Sequence, residues 1–268
     1  MKRVEMTEAG DSFSLYGYVH EKIDGVTLPG AGRPAILICP GGGYIRVSDR
    51  EKNPPAAIFF AHGYDTFILT YPVGDDAAHL KPLAAASRAL ARIRGRAGKL
   101  GIDPERIAVL GFSSGGHLAA SLAVHWDNPL LHEKIPDVEP GSNRPNALIL
   151  SYPVLINGIH AHQGSVENFG RDDERIAALF SLEKFVTPQT CPTFLWHTAD
   201  DVSVPVENSL VFAAALAAMK VEFECHIFAH GQHGLSTCNR EVGTTNELCA
   251  QWIPLCFGWL DVLFKHKP

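Results

Sequence analysis

The sequence predicts an α/β fold in which helices cover both faces of one mostly parallel central sheet. Apolar runs of strand length alternate with helical patterns along most of the 268 residues. Several of these runs are continuously apolar, which is typical of strands that are covered on both faces. A sharp strand–turn–helix segment at 106–118 stands near the middle of the chain. The alternation on either side of it implies parallel strands joined by right-handed crossovers.

The strands are predicted from apolar runs, rich in β-branched and aromatic residues, that end at glycine, proline or polar residues. They cover 13–23, 34–39, 66–71, 106–112, 147–152, 193–198 and 221–228. The first run alternates only roughly between apolar and polar residues, so we expect it to be antiparallel and to lie at a sheet edge. Residues 24–33 are rich in glycine and proline and are expected to form a turn.

The helices are predicted from apolar residues at helical spacing. They cover 54–62, 80–99, 116–124, 206–219 and 246–265. Pro54 and Pro55 suit a first helical turn, and Gly63 suits a helix end. We expect the arginines of 80–99 to form a solvated face, and we expect Pro254 to bend or break the last helix.

The connections divide the chain without creating a second domain. Residues 101–104 are expected to form a turn and residues 128–145 a loop, because both are rich in turn-forming residues. The stretch 153–189 is the longest without a predicted strand, so we expect a small cap inserted above the sheet. The chain 1–268 is therefore predicted to be a single domain with this cap-like insertion.

Composition excludes several classes of partner. The net charge of −6 and the lack of a basic run argue against nucleic acid. No apolar stretch is long enough to span a bilayer, and the charged N-terminus lacks the apolar core of a signal peptide. The six cysteines form no C-x-x-C pair, which favours free thiols and a cytoplasmic location. The histidines show no H-E-x-x-H or other tight metal-ligand spacing. His160 and His162 stand two residues apart, where a zinc pair is the alternative to the solvated loop that we expect. Neither a metal nor another cofactor is therefore expected.

The segment at 106–118 carries the clearest chemical signal. Gly111, Ser113 and Gly115 fit G-x-S-x-G, in which a serine on a strained strand-to-helix turn exposes its hydroxyl. Side chains at the two glycine positions would clash where strand and helix cross. The alternative is a phosphate-binding turn, but the lysine of a P-loop and the G-x-G-x-x-G pattern are both absent. His117 is expected to be structural.

A serine nucleophile requires a histidine base and a carboxylate that orients the base. The strand at 193–198 is followed by Asp200 and Asp201, and the spacing D-x-x-V-P favours Asp201 while leaving Asp200 as the alternative. The strand at 221–228 is followed by His230 and His233. We favour His233, which precedes a glycine on a short loop, and the chain order serine, aspartate, histidine is that of α/β-hydrolases.

Donors for a developing oxyanion are expected in Pro-Gly-Gly-Gly-Tyr at 40–44, after the 34–39 strand. Three glycines allow backbone N–H groups to approach a bound carbonyl oxygen closely. The N–H of Ser114, the residue after the nucleophile, would supply a hydrogen-bond donor from a second direction. A tight loop without function is the alternative, but the position after a predicted strand and ahead of the serine turn counts against it.

Together PGGGY, GFSSGGH, D-x-x-V-P and HG resemble the α/β-hydrolase superfamily. More narrowly they are similar to its esterase/lipase group with an H-G-G-G loop, including small bacterial acetyl esterases and acetylxylan-esterase-like proteins. The resemblance extends from about residue 34 to 233 and includes the last helix. It implies an α/β-hydrolase fold and hydrolysis of carboxylic esters, often of short acyl groups on sugars or small alcohols.

Residue by residue, the resemblance implies a nucleophile, an acid, a base and the donors of an oxyanion hole. In that order these are Ser113, Asp201, His233 and the group Gly42, Gly43 and Ser114. The sequence departs from the group at Pro40, which stands where H-G-G-G has its histidine. The glycine donors are expected to survive this change, but whatever that histidine supports must be supplied in another way.

The function predicted from the sequence is therefore that of a serine esterase that acts on a small-molecule ester such as an acetylated carbohydrate. A serine peptidase of the prolyl-oligopeptidase type is the first alternative, although the length leaves no room for a propeller or other gating domain. A small-ligand binder with an idle triad is the second, and the intact serine, aspartate and histidine set argues against it.

Overall fold

A computed structural model describes residues 1–21, 32–170 and 173–265, and most of the predicted turn at 24–33 lies outside the described residues. Within the described residues, one sheet is built from eight strands. The strands are β1 (Lys2–Glu5), β2 (Ser14–Val19), β3 (Arg33–Cys39), β4 (Asp65–Thr70), β5 (Ile102–Phe112), β6 (Ala147–Ser151), β7 (Thr193–Thr198) and β8 (Phe223–Phe228).

The strand order across the sheet is β1-β2-β4-β3-β5-β6-β7-β8. β1 pairs antiparallel with β2, and β2 pairs antiparallel with β4. All the other neighbours are parallel. The predicted mostly parallel sheet is therefore confirmed. The carboxyl ends of β3, β5, β7 and β8 share one edge, which is where parallel α/β sheets place their sites.

Helices cover both faces of this sheet, as predicted. They are α1 (Asn53–Ala61), α2 (Lys81–Gly95), α3 (Ala97–Leu100), α4 (Ser114–His125), α5 (Pro129–His132), α6 (Gln163–Gly170), α7 (Glu174–Ala177), α8 (Glu207–Ala218) and α9 (Trp252–Lys265). Alternate residues of β3 and β5 enter different cores: Leu37 and Val109 pack with α2, α4 and α8, whereas Ile38 and Leu110 pack with α1 and α9. Among the described residues, no helix combines the length and the apolar character needed to cross a membrane.

The amino-terminal part of the sheet differs from the prediction. β1 has no counterpart among the predicted strands, because Lys2–Glu5 is short, charged and mostly exposed and lacks an apolar signal. Since β1 occupies the edge, β2 is antiparallel as expected but lies one strand inside it. β5 starts at Ile102, within the segment predicted to be a turn, where its pairing with β3 is irregular. The loop predicted at 128–145 contains the short helix α5.

Pro254 does not break the last helix, contrary to the predicted break, because α9 runs through it without interruption. It is the third residue of α9, which begins at Trp252 directly after a 3-10 turn at Cys249–Gln251. A proline in the first turn removes no intrahelical hydrogen bond, because those N–H groups have no partner within the helix.

The arginines of α2 do not form a simple solvated face. Arg92 is 13% exposed and pairs with Asp11, and it also donates to the carbonyl oxygen of Met6 at 2.8 Å. Arg94 donates to the carbonyl oxygens of Pro104 and Arg144. These side chains connect α2 to segments distant in sequence, which helical spacing alone does not indicate.

Candidate active site

Ser113 occupies the turn between β5 and α4 in a conformation that few non-glycine residues adopt. Its φ is +52° and its ψ is −121°, and this backbone is fixed by neighbours on both sides. Its N–H donates to the carbonyl oxygen of Ser151 at 3.0 Å, and its own carbonyl oxygen accepts from the N–H of Val154 at 3.0 Å. A strained residue persists only where its surroundings determine it in this way.

The two flanking glycines are required by close packing. A Cβ atom at Gly111 would lie 2.2 Å from the carbonyl oxygen of Gly115. At Gly115 it would lie 2.1 Å from the carbonyl oxygen of Cys39. β5, α4 and the end of β3 therefore meet without room for side chains, as the G-x-S-x-G pattern predicts.

The structure brings Ser113, His233 and Asp201 together at the carboxyl edge of the sheet. Ser113 Oγ lies 2.8 Å from His233 Nε2. His233 Nδ1 lies 2.7 Å from Asp201 Oδ2. The imidazole thus joins the hydroxyl to the carboxylate through its two ring nitrogens, which is the arrangement of a serine, histidine and aspartate triad.

Asp201 is held as a carboxylate by four neighbouring groups. Its Oδ1 accepts from the N–H groups of Ser203 and Val204, both at 2.9 Å. Its Oδ2 also lies 3.4 Å from Nε2 of the buried His197. Burial by itself would raise the pKa of Asp201, but hydrogen bonds from His197 and His233 outweigh it and hold that pKa well below its usual range.

Asp200 and His230 form a separate and exposed pair. Asp200 Oδ2 lies 3.0 Å from His230 Nδ1, with side-chain exposures of 51% and 87%. Asp200 also accepts from the N–H of Gly231 at 2.8 Å. This pair therefore fixes the backbone at the start of residues 229–236, which we call the histidine loop.

Residues 40–44, which we call the glycine loop, lie beside Ser113. The N–H groups of Gly42 and Ser114 have no hydrogen-bond partner in the described part of the chain. The N–H of Gly43 donates to Ser114 Oγ at 2.8 Å. Two of the three N–H groups singled out in the sequence are thus unoccupied, and the third is bonded to a neighbouring hydroxyl.

Side chains from several elements hold the glycine loop in place. Tyr71 donates to the carbonyl oxygen of Pro40 at 2.6 Å. Tyr44, whose φ is +61°, hydrogen-bonds His117 Nδ1 at 2.8 Å. His117 Nε2 lies 3.0 Å from the carbonyl oxygen of Phe180, and burial lowers the pKa of His117 to about 3. His117 is therefore a neutral structural residue beneath the loop.

The segment between β6 and β7 approaches the glycine loop through α6. Asn168 Nδ2 donates to the carbonyl oxygen of Gly43 at 3.2 Å. His162 Nδ1 accepts from the N–H of Ser165 at 3.2 Å, so the ring proton of neutral His162 resides on Nε2. Its Cε1 atom lies 3.9 Å from where a Cβ of Gly43 would be. Among the described residues, no group of three or more His, Cys, Asp or Glu side chains is placed to hold a metal ion.

Comparison with known proteins agrees with this geometry. The family model described as BD-FAE matches residues 28–216, which is well over half of the chain. The chain belongs to the BD-FAE family.

The similarity of this BD-FAE protein to solved structures of α/β-hydrolase enzymes extends over nearly the full chain. An acetyl ester-xyloside bifunctional hydrolase from Caldicellulosiruptor lactoaceticus is 34% identical, with a TM-score of 0.82, and the match covers 98% of this chain and 96% of that one. The carboxylesterase Cest-2923 from Lactobacillus plantarum is 30% identical, with a TM-score of 0.86 and 98% coverage of both chains. The α/β-hydrolase fold implied by the sequence motifs is confirmed.

A curated relative of this BD-FAE protein is longer than the chain itself. Endo-1,4-beta-xylanase B from Butyrivibrio fibrisolvens is 38% identical over 85% of this chain, but the match covers only 35% of that protein. The chain thus spans about a third of the length of this relative. By family and fold the chain is grouped with esterases and carboxylesterases.

Sequence reasoning missed two buried residues of this BD-FAE site, Glu51 and His197. Glu51 stands in a polar run of the sequence and is only 3% exposed. His197 lies inside β7, within a run that the sequence analysis treats as an apolar strand, and it reaches Asp201. A histidine four residues before a candidate acid was the only available signal, and it is weak without coordinates.

Proposed function

We propose that this protein is a serine carboxylic-ester hydrolase that acts through an acyl-enzyme. The observation that carries the proposal is the continuous chain of contacts from Ser113 Oγ through His233 to Asp201, at 2.8 and 2.7 Å. A serine hydroxyl is a weak nucleophile unless a base takes its proton, and His233 is within reach to do so. The BD-FAE match and the carboxylesterase neighbours support the same reaction class.

In the proposed reaction, Ser113 Oγ attacks the ester carbonyl carbon while its proton moves to His233 Nε2. Asp201 orients the imidazole through Nδ1 and stabilises the imidazolium that forms. His233 then gives the proton to the departing alcohol oxygen, which leaves Ser113 acylated. Water, deprotonated by His233, attacks the acyl group and releases the carboxylic acid and free Ser113.

The oxyanion is proposed to be bound by backbone N–H groups of Gly42, Gly43 and Ser114. Those of Gly42 and Ser114 have no partner among the described residues and are ready to donate. The N–H of Gly43 is bonded to Ser114 Oγ before substrate arrives, so it contributes only after that bond breaks. Ser114 is also the first residue of α4, where the positive end of the helix dipole favours an anion.

We propose short acyl esters of sugars or small alcohols as substrates, with acetyl esters preferred. The hydrogen bond from Asn168 and the ring of His162 bring α6 against the glycine loop, which favours a small acyl group. The name of the structural neighbour from Caldicellulosiruptor lactoaceticus includes an acetyl-ester activity. The segment 153–189 is proposed to act as a cap that shapes the part of the site that binds the alcohol group of the ester.

Replacement of Ser113 tests the mechanism. We expect wild type to release a burst of p-nitrophenol from p-nitrophenyl acetate and to react with a fluorophosphonate probe. Ser113→Ala is expected to lose the burst and the label, and to lose about 10⁶ in kcat, because the nucleophile is absent. Ser12→Ala, at an exposed serine in the amino-terminal region, serves as the control and keeps full activity. Unchanged turnover in Ser113→Ala would refute the proposal.

A substrate panel tests the proposed specificity. The panel contains acetyl, butyryl and octanoyl p-nitrophenyl esters, acetylated xylose and xylo-oligosaccharides, and aminoacyl-proline amides. We expect kcat/KM to be highest for acetyl esters and acetate to be released from the sugars, with no cleavage of the amides. A preference for octanoyl esters contradicts the acetyl proposal, and efficient amide cleavage favours the peptidase alternative.

A further inference from the structure

Glu51 is a buried acid that lies outside the triad. It ends a 3-10 turn at Asp49–Glu51 and is 3% exposed. Burial raises the pKa of this carboxyl, while hydrogen bonds from Tyr152 and Gly41 and the proximity of His233 act in the opposite direction. A buried carboxylate is unfavourable for folding unless its oxygens are paired, so the partners of Glu51 identify what it supports.

One oxygen of Glu51 holds the glycine loop. Glu51 Oε2 accepts from the N–H of Gly41 at 2.8 Å. The packing around Gly41 is close. A Cβ on this residue would lie 3.0 Å from Glu51 Oε2 and 2.9 Å from the Cβ of Ser113. Glu51 therefore fixes the backbone immediately before Gly42, whose N–H is proposed to bind the oxyanion.

The other oxygen of Glu51 connects to the histidine loop through Tyr152. Tyr152 donates to Glu51 Oε1 at 2.7 Å, and its hydroxyl oxygen accepts from the N–H of Ser236 at 2.8 Å. Ser236 Oγ in turn donates to the carbonyl oxygen of Arg50 at 2.8 Å. The Tyr152 ring also packs edge-on against the ring of His233, with centroids 5.0 Å apart.

We propose that Glu51 is a positioning residue that joins the glycine loop to the histidine loop and thereby sets where His233 lies relative to the N–H of Gly42. The inference rests on the proposed function, because it takes His233 as the base and Gly42 as an oxyanion donor. Neither oxygen of Glu51 is hydrogen-bonded to Ser113 Oγ among the described contacts, so Glu51 acts on the reaction through the two loops.

The tyrosines beside Glu51 keep the protons that they donate. Burial raises the pKa of Tyr71 far above its ordinary value, and burial together with Glu51 does the same for the pKa of Tyr152. Both hydroxyls therefore stay protonated in the working range of the enzyme, so Tyr152 remains a donor to Glu51 and Tyr71 a donor to the carbonyl oxygen of Pro40.

Glu51→Gln tests the connection, because glutamine keeps the shape of the side chain but has one acceptor oxygen where the carboxylate has two. We expect kcat for p-nitrophenyl acetate to fall about 10- to 100-fold with KM nearly unchanged. A residue that served only to stabilise the fold would lower the thermal midpoint and leave kcat unchanged.

Tyr152→Phe and Asp65→Asn are the matched variants. Tyr152→Phe cuts the connection to Ser236 but keeps the bond between Glu51 and Gly41, so kcat should fall with KM nearly unchanged. Asp65 is likewise a buried acid that accepts from a backbone N–H and a side chain, both of His20, but it is the first residue of β4 and these bonds hold neither loop. Asp65→Asn is expected to lower the thermal midpoint and to leave kcat unchanged.

The outcomes separate the inference from the proposed function. The inference is overturned alone if wild type hydrolyses the ester and Glu51→Gln retains kcat to within about twofold. It is also overturned if Tyr152→Phe retains the kcat of wild type, or if Asp65→Asn loses as much kcat as Glu51→Gln does. If wild type neither hydrolyses the ester nor reacts with the fluorophosphonate, the esterase proposal fails and this inference falls with it.

Discussion

Asp200 and Asp201 are adjacent in the sequence, yet they contact different histidines. The side chain of Asp201 is fully buried beneath His233, whereas Asp200 pairs with His230 at the surface. The D-x-x-V-P spacing favours Asp201 and leaves Asp200 open. The physical reason for the difference is the turn after β7, which directs one carboxylate inward, where Ser203 and Val204 donate to it.

Neutralising each aspartate in turn is expected to separate their roles. Asp201→Asn should lower kcat about 10⁴-fold, because an amide no longer holds His233 in the tautomer that accepts the serine proton. Asp200→Asn should stay within about threefold of wild type, since an exposed pair contributes little. Steady-state hydrolysis of p-nitrophenyl acetate measures both. Similar losses in the two variants would contradict the assignment of Asp201.

At the scale of the element, the glycine loop shows how a departure in sequence is accommodated. Pro40 replaces the histidine of the H-G-G-G pattern, and Tyr71 holds the carbonyl oxygen of Pro40 instead. Glu51, Ser114 and Asn168 hold Gly41 and Gly43. The loop is therefore fixed by side chains from the surrounding elements, so that the N–H of Gly42 can face the substrate without reorganising.

Alanine at Gly42 and at Gly43 is expected to have unequal effects. A Cβ at Gly42, where φ is +131°, would lie 2.1 Å from the carbonyl oxygen of Arg46, so the loop must shift. We expect Gly42→Ala to lose about 10²- to 10³-fold in kcat, as when one oxyanion donor is removed. At Gly43, where φ is +66°, the nearest atom is 3.9 Å away.

Gly43→Ala is the comparison variant for that experiment, because alanine keeps the backbone N–H of this proposed donor and the loop has room for its Cβ. We expect it to cost about 1–2 kcal/mol in stability, because a left-handed backbone is unfavourable for alanine, and to retain most of its turnover. Thermal unfolding and ester hydrolysis of both variants distinguish strain from loss of a donor. A larger loss of kcat in Gly43→Ala than in Gly42→Ala would reverse the roles proposed for these two glycines.

The elements themselves differ in how well the sequence predicts them. The buried strands β3 to β7 are predictable because their apolar runs are required by burial on both faces. β8 is a partly exposed edge strand and is predictable from its alternating pattern instead. β1 was not predicted because an exposed edge strand needs no apolar residues and gains its stability from pairing with β2. The predicted break at Pro254 was wrong because the effect of a proline depends on its distance from the residue where α9 begins, which the helical pattern does not locate.

At the scale of the whole molecule, Arg92 of α2 connects the amino-terminal hairpin of β1 and β2 to the helical layer. Its guanidinium lies against Asp11, beside the start of β2, and donates to Met6 after β1. The hydrogen bond from Arg92 is the largest cause of the lowered pKa of Asp11. Because the pKa of Asp11 is lower in the folded state, the pair stabilises the fold above the ordinary pKa of Asp11, 3.8, and this contribution is lost as the pH falls through the lowered value.

Arg92→Met is therefore expected to reduce the free energy of unfolding by about 1–3 kcal/mol at neutral pH. The difference from wild type should shrink as the pH falls below 3.8, because Asp11 of the unfolded chain then takes up a proton and the pair contributes less to stability. Urea unfolding at neutral and at acidic pH measures it. Arg175→Met, at the exposed pair with Asp173, is the control and should leave stability unchanged. A difference that stays constant or grows towards low pH would contradict the role of Asp11.

The sequence by itself determined the order of the main strands and helices after β1, the serine turn, and the two short segments that hold the candidate acid and base. These signals are local, because an apolar run or a glycine spacing reflects the structural requirements of one segment of the chain. Only the tertiary structure decided that Asp201 rather than Asp200 reaches His233, that Glu51 is buried between two loops, and that Arg92 pairs with Asp11. Such pairings depend on where segments far apart in the chain meet, and no spacing within one segment encodes that position.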